Sequence, residues 1–171
     1  RHTDHLIRIR KVSQARYHFE LAMANFFAGL SSLGILFLSV VIFVFSQGHA
    51  GDIWKLVPAF LMMAINMAIV SFLSSTLSII LPPFLSGSIS VVITLVGIFY
   101  SLFFLVKDVL GGFAGGFFKV VLFLFPNLHE ISRSAGEFMG GEMADLHIIL
   151  KGLLWVYIFA VLILIIKRKE A

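Results

Sequence analysis

The chain has 171 residues, 60% hydrophobic and 13% charged, with a mean hydropathy of +1.04 and a net charge of +4. A soluble domain of this size could not hide that much apolar surface, so the composition excludes an ordinary soluble fold. The absence of cysteine excludes disulfides, thiolate metal sites and cysteine nucleophiles.

Residues 1–18 are polar and basic, carrying Arg1, Arg8, Arg10, Lys11 and Arg16. Leu6, Ile9 and Val12 recur among them at roughly helical spacing, which predicts a short amphipathic helix on a membrane surface. Four long apolar runs follow, at 19–45, 53–81, 88–106 and 148–166, and within them only Glu20, Lys55 and Lys151 are charged. About 20 residues of helix span the hydrocarbon core, so each run is long enough to cross it. With no water to satisfy backbone groups, the runs are expected to be helices. Gly48 and Gly51 mark a short loop after the first run. Leu81-Pro82-Pro83 ends the second, and the uncharged segment 82–87 reads as the turn before the third.

Residues 107–147 are the unusual part. Gly111-Gly112 and Gly115-Gly116 precede an aromatic stretch that contains Lys119 and stops at Pro126-Asn127. It is too short and too broken for a comfortable span, and it suits a re-entrant or interfacial segment. A fifth span over 112–125 would put the two basic ends of the chain on opposite sides. The tail closes with Lys167-Arg168-Lys169. Lys and Arg concentrate in the two ends, so both termini are expected in the cytoplasm, with 107–147 on the outer side.

These readings define an all-α integral membrane protein with four transmembrane helices and a re-entrant segment between the third and fourth. Its organisation is a cytoplasmic segment 1–18, a transmembrane domain 19–166 and a cytoplasmic tail 167–171.

Candidate chemistry is sparse. Small and weakly polar residues recur at steps of three, four and seven. Asn25 and Ser32 lie on the first helix, Ser71 and Ser75 on the second, and Thr94 and Ser101 on the third. Such stripes let helices approach closely, or they line a mildly polar path. Asn25 and Asn66 are the amides within the spans, and a packing hydrogen bond is the simpler role for each. The six histidines form no i, i+4 pair within a span. His2 and His5, three apart beside Asp4, give a weak metal spacing for which solvated side chains are the simpler reading, and no Gly-x-Ser-x-Gly or Walker-type loop is present. The basic residues flank apolar helices, which argues against nucleic-acid binding. No charge sits in mid-span, which argues against a proton-coupled carrier.

The order of features resembles the permease subunits of type-2 ATP-binding-cassette transporters, closest to the branch linked to copper-enzyme maturation and gliding. The resemblance rests on Val12-Ser13-Gln14-Ala15-Arg16 before the first helix and on Ser71-Phe72-Leu73-Ser74-Ser75 near the end of the second. Ser86-Gly87-Ser88 and the central Gly97 follow. Then come Phe125-Pro126-Asn127-Leu128, and a last helix with Gly152, Trp155 and Tyr157 that ends in Lys167-Arg168-Lys169. It departs from that pattern at Ala22-Met23-Ala24-Asn25, where the family often has Gly-Lys. The resemblance implies the C-terminal two-thirds of a six-helix permease in a cell (inner) membrane. It further implies no catalytic site or cofactor on this chain. Cytoplasmic ATPase partners would bind ATP and Mg, and a second permease subunit would complete the assembly. Arg8, Arg10, Lys11, Ser13 and Arg16 would then form an ATPase-coupling segment, and Gly112, Gly116, Pro126 and Asn127 a re-entrant gate. A non-transporting membrane anchor or scaffold is the alternative, and an intramembrane enzyme ranks below both.

Overall fold

The computed structural model describes residues 14–168, apart from 124 and 144. Among the described residues seven α-helices run in chain order: α1 (Gln14–Ser46), α2 (Ile53–Ile80), α3 (Pro83–Ile98), α4 (Tyr100–Leu110), α5 (Gly112–Phe123), α6 (Leu128–Gly140) and α7 (Leu146–Arg168). A single 3-10 turn, Ala50–Asp52, sits between α1 and α2, and there is no strand among the described residues.

Among the described residues, three helical stretches are long and apolar enough to cross a membrane: Arg16–Ser46, Ala50–Ile80 and Leu146–Ile166. The third apolar run is not the straight span expected over 88–106. Its helix starts earlier, at Pro83, where two prolines favour a helix start and the preceding Leu81 is extended (φ −115°, ψ 154°). Ser86 and Gly87 therefore belong to the first turns of α3, not to a connecting turn. The run then breaks at Phe99, whose backbone leaves helical geometry (φ −91°, ψ 20°), and the two parts meet at 73°. Counted as one bent span, α3 and α4 make a fourth crossing.

α2 is the organising element. It is apolar on every side, and α1, α3, α6 and α7 all pack on it. The core is built from Ala59, Met62, Ile69, Phe72 and Leu73 of α2, with Ala22 of α1, Leu128, Ile131 and Ala135 of α6, and Phe159 and Ile163 of α7. α1 runs antiparallel to α2, as the ring contacts Phe19–Phe72 and Phe37–Phe60 show, yet most of its apolar surface stays exposed.

The segment 107–147 contains two helices. α5 folds back on α4 as a short hairpin, and the reversal is made at Gly111 and Gly112, with φ of 56° and 50°. That backbone region is open to glycine and strained for other residues. α6 packs chiefly on α2.

Candidate functional site

α6 is the polar exception among the helices, and its sequence dictates both its ends and its seat. Asn127 caps it, with its side-chain oxygen accepting a bond from the Glu130 N–H at 3.1 Å. Gly141 closes it in the left-handed conformation (φ 86°). Its N–H donates to the Phe138 carbonyl at 3.0 Å, and the Glu142 N–H donates to the Glu137 carbonyl at 2.9 Å. Those two bonds form a Schellman closure. Leu128, Ile131, Ala135 and Phe138 turn one face into the bundle. The opposite face carries the exposed ion pair Arg133 Nε–Glu137 Oε1 at 2.9 Å.

Three elements hold the buried face. On α2, Asn66 Nδ2 donates to the Leu128 carbonyl at 3.2 Å and to Ser132 Oγ at 2.9 Å. On α3, Gly97 leaves so little room that a Cβ there would lie 2.7 Å from the Pro126 carbonyl oxygen and 2.9 Å from Leu128 Cγ. On α7, a Cβ at Gly152 would lie 2.7 Å from Ile65 Cγ2 and 3.1 Å from Ile131 Cδ1. Pro126 and Ser134 are fully buried, and Asn66 Oδ1 and Ser134 Oγ are buried without a hydrogen-bond partner. At the other end of α6, the Lys55 side chain rests on Gly141, and its ammonium pairs with Asp52 Oδ1 at 2.7 Å. A cation there complements the negative end of the α6 dipole. From Lys55 to Asn66 is about 16 Å of helix, so α6 lies along the first half of α2.

A second polar feature lies between α2 and α3. Ser74 and Ser90 share a hydrogen bond, and Thr94 Oγ1 donates to the Ser90 carbonyl at 2.8 Å. With Ser86, Val70, Val91 and Leu95 they line an open crevice of about 430 Å³.

The residues expected to act together are dispersed. Arg8, Arg10, Lys11 and Ser13 lie outside the described residues. Arg16 is exposed in the first turn of α1, with Nε 2.7 Å from Glu20 Oε1. Asn25, Ser32 and Ser101 are exposed, and Ser32 Oγ donates to its own helix at the Ala28 carbonyl, 3.3 Å away. Ser71 is half-buried, and Ser75 is buried with no partner for its hydroxyl. Thr94 alone among these path candidates lines the α2–α3 crevice. Of the proposed gate residues, Gly112 makes the α4–α5 reversal and Gly116 faces open space. Pro126 and Asn127 form the entry to α6.

Sequence reasoning passed over Ser132, and gave Ser86 and Gly152 no part beyond the family resemblance. Asn66 was visible as a costly amide, but its partners sit 62 and 66 residues away. Among the described residues, no group of three or more His, Asp or Glu side chains converges as a metal site. No family model, curated protein or solved structure matches the chain.

Proposed function

We propose that the chain is the permease portion of an ATP-driven transporter of the type-2 ATP-binding-cassette kind. It would work with a second permease subunit and with cytoplasmic ATPase subunits that bind ATP and Mg. The observation that carries this reading is the seat of α6. A short amphipathic helix between the third and last apolar runs returns into the bundle, and its Pro126-Asn127 end lies about 16 Å from the Lys55 end. That is about half of a 30 Å hydrocarbon core, so in a bilayer α6 would be a re-entrant element whose tip reaches the midplane. Non-helical backbone at such depth is tolerated where protein buries it, as Gly97 and Asn66 do here. A gate needs such an element: short, partly polar, and held by a few contacts that can be exchanged. The exposed flank of α1 leaves room for further helices of an assembly.

In this reading the basic segment with Arg8, Arg10, Lys11, Ser13 and Arg16 docks on the ATPase, where complementary charge sets register. The test is whether the neighbouring coding region specifies a Walker-type ATPase, and then co-expression with it, followed by tag purification and an ATP-hydrolysis assay in nanodiscs. The wild-type chain should retain the ATPase and stimulate its turnover. Arg8→Ala with Arg10→Ala should keep the fold but lose association or coupling. An ATPase that never associates with the wild-type chain would leave the anchor reading standing instead.

A further inference from the structure

The α2–α3 crevice has features that helix packing does not use up. Ser86 is 5% exposed and lines the crevice, and its hydroxyl has no hydrogen-bond partner among the described residues. A serine in a helix usually donates to its own backbone three or four residues earlier, as Ser88 does to the Phe84 carbonyl. Ser90, 7% exposed, shares a single hydrogen bond with Ser74, so one of their two hydroxyl protons is left over. The crevice therefore presents the Ser86 hydroxyl and one further O–H donor, from either Ser90 or Ser74, and no charged side chain lines it. Beyond them the walls are apolar, formed by Val70, Val91 and Leu95.

Position narrows the ligand. Ser86 lies one turn inside the Leu81-Pro82 connection, between the membrane-length α2 and the first part of the bent α3–α4 pair, so with α2 crossing a bilayer it would sit near the bilayer boundary. Ester carbonyls of acyl lipids lie at that boundary and carry acceptors but no donors. Their chains then run inward, as the crevice does from Ser86 to Thr94, about 12 Å deeper. A neighbouring protein helix is the competing occupant, because a helix carbonyl can accept a hydroxyl proton as the Phe84 carbonyl does from Ser88, and the cross-linking below tests for it. The surface around the opening, including Phe84 and Val91, is exposed and apolar, so lipid has access.

We propose that the Ser86–Ser90 face of this crevice binds the ester carbonyl of a membrane acyl lipid, with one acyl chain laid along Val91 and Leu95. The site depends on membrane placement and not on transport, so it stands or falls separately from the permease reading.

The experiment uses the purified full chain in phosphatidylcholine nanodiscs containing a trace of diazirine-labelled phosphatidylcholine, with adducts mapped by mass spectrometry. The 83–98 segment should be labelled. Ester-linked phosphatidylcholine should compete about tenfold better than its ether-linked analogue, which lacks the carbonyls, as two hydrogen bonds would allow. Ser86→Ala with Ser90→Ala should abolish that preference while labelling of α7 stays unchanged, and Ser86→Thr should keep it. If the double variant does not fold, Gly87→Leu takes its place. It adds bulk where nothing lies within 4 Å and should expel the lipid. Equal competition by ester and ether lipids would overturn the proposal. So would efficient Ser90→Cys disulfide cross-linking between two copies in the membrane, because a protein would then cover the crevice.

Discussion

Asn66 and Ser132 are 66 positions apart in sequence, yet the Asn66 amide donates to the Ser132 hydroxyl at 2.9 Å and to the Leu128 carbonyl at 3.2 Å. One side chain at the middle of α2 thus pins both the first carbonyl and the second turn of α6. Replacing it with leucine should leave Leu128 O and Ser132 Oγ short of a donor in an apolar setting. Inter-helix hydrogen bonds within membranes are worth about 0.6 to 2 kcal/mol each. Asn66→Leu should therefore loosen α6 before it unfolds the bundle. Hydrogen exchange in detergent micelles should show amides of 128–135 exchanging about tenfold faster, with α7 little changed. Unchanged protection of α6 would show that apolar packing alone holds it.

The glycines of the seat predict an order of severity. At Gly97 a methyl group meets a backbone oxygen, which cannot rotate away. At Gly152 it meets the Ile65 Cγ2 methyl and the end of Ile131, side-chain atoms that give more readily than a backbone oxygen even though the branched Ile65 is stiff about χ1. Gly97→Ala should therefore cost more than Gly152→Ala, with overpacking of about 1–3 kcal/mol as the guide. Gly87→Ala and Gly116→Ala, which face open space within helices, should be neutral or slightly stabilising. Thermal denaturation of the four variants in one detergent tests the ranking, and a Gly97→Ala protein as stable as Gly116→Ala would contradict it.

Much of this architecture was legible in residues. Apolar length marks α1, α2 and α7 because a membrane-length helix needs nothing more than composition to declare itself. Leu81-Pro82-Pro83 marks the α2–α3 boundary because proline chemistry is local. The break at Phe99 was not legible. The run through it is uniformly apolar, and the Pro126 carbonyl that presses on Gly97 belongs to a distant segment. The same holds for the site. Asn66 stood out as an amide with a cost, but no periodicity reveals which segment satisfies it. The hydroxyl stripes were visible at helical spacing, whereas the choice between Ser86, whose hydroxyl is unpaired, and Ser32, bonded to its own helix, depends on how α2 and α3 meet.

Topology can be read from single cysteines, and the structure decides where they belong. Ser134 is fully buried against the bundle, whereas Arg133 and Gly136 on the same helix are exposed. With both termini cytoplasmic, an impermeant thiol reagent applied outside cells should label Gln47→Cys and Arg133→Cys. It should not label Ala171→Cys, and Ser134→Cys should stay unlabelled until the protein is denatured. Outside labelling at position 171 would place the C-terminus on the other side. Ready labelling at position 134 would mean that α6 leaves its seat in the membrane.

Lys55 is the last testable joint, because it links the α1–α2 connection to the end of α6. Its ammonium pairs with Asp52 and rests on Gly141, the residue that closes α6. The two partners' side chains are 44% and 50% exposed, so water and salt screen the pair. An exposed pair of this kind contributes little, and so does a cation at a screened helix C-terminus. Lys55→Gln should therefore lower stability only slightly, and the loss should shrink in high salt. Lys55→Glu should do more. It sets a carboxylate beside Asp52 and against the negative end of the α6 dipole, turning two attractions into repulsions. The expected order in thermal denaturation is wild type, then Gln, then Glu, with the gap between Gln and Glu closing as salt rises. A gap between wild type and Gln that survives molar salt would point to lost packing of the lysine stem on Gly141 and not to charge.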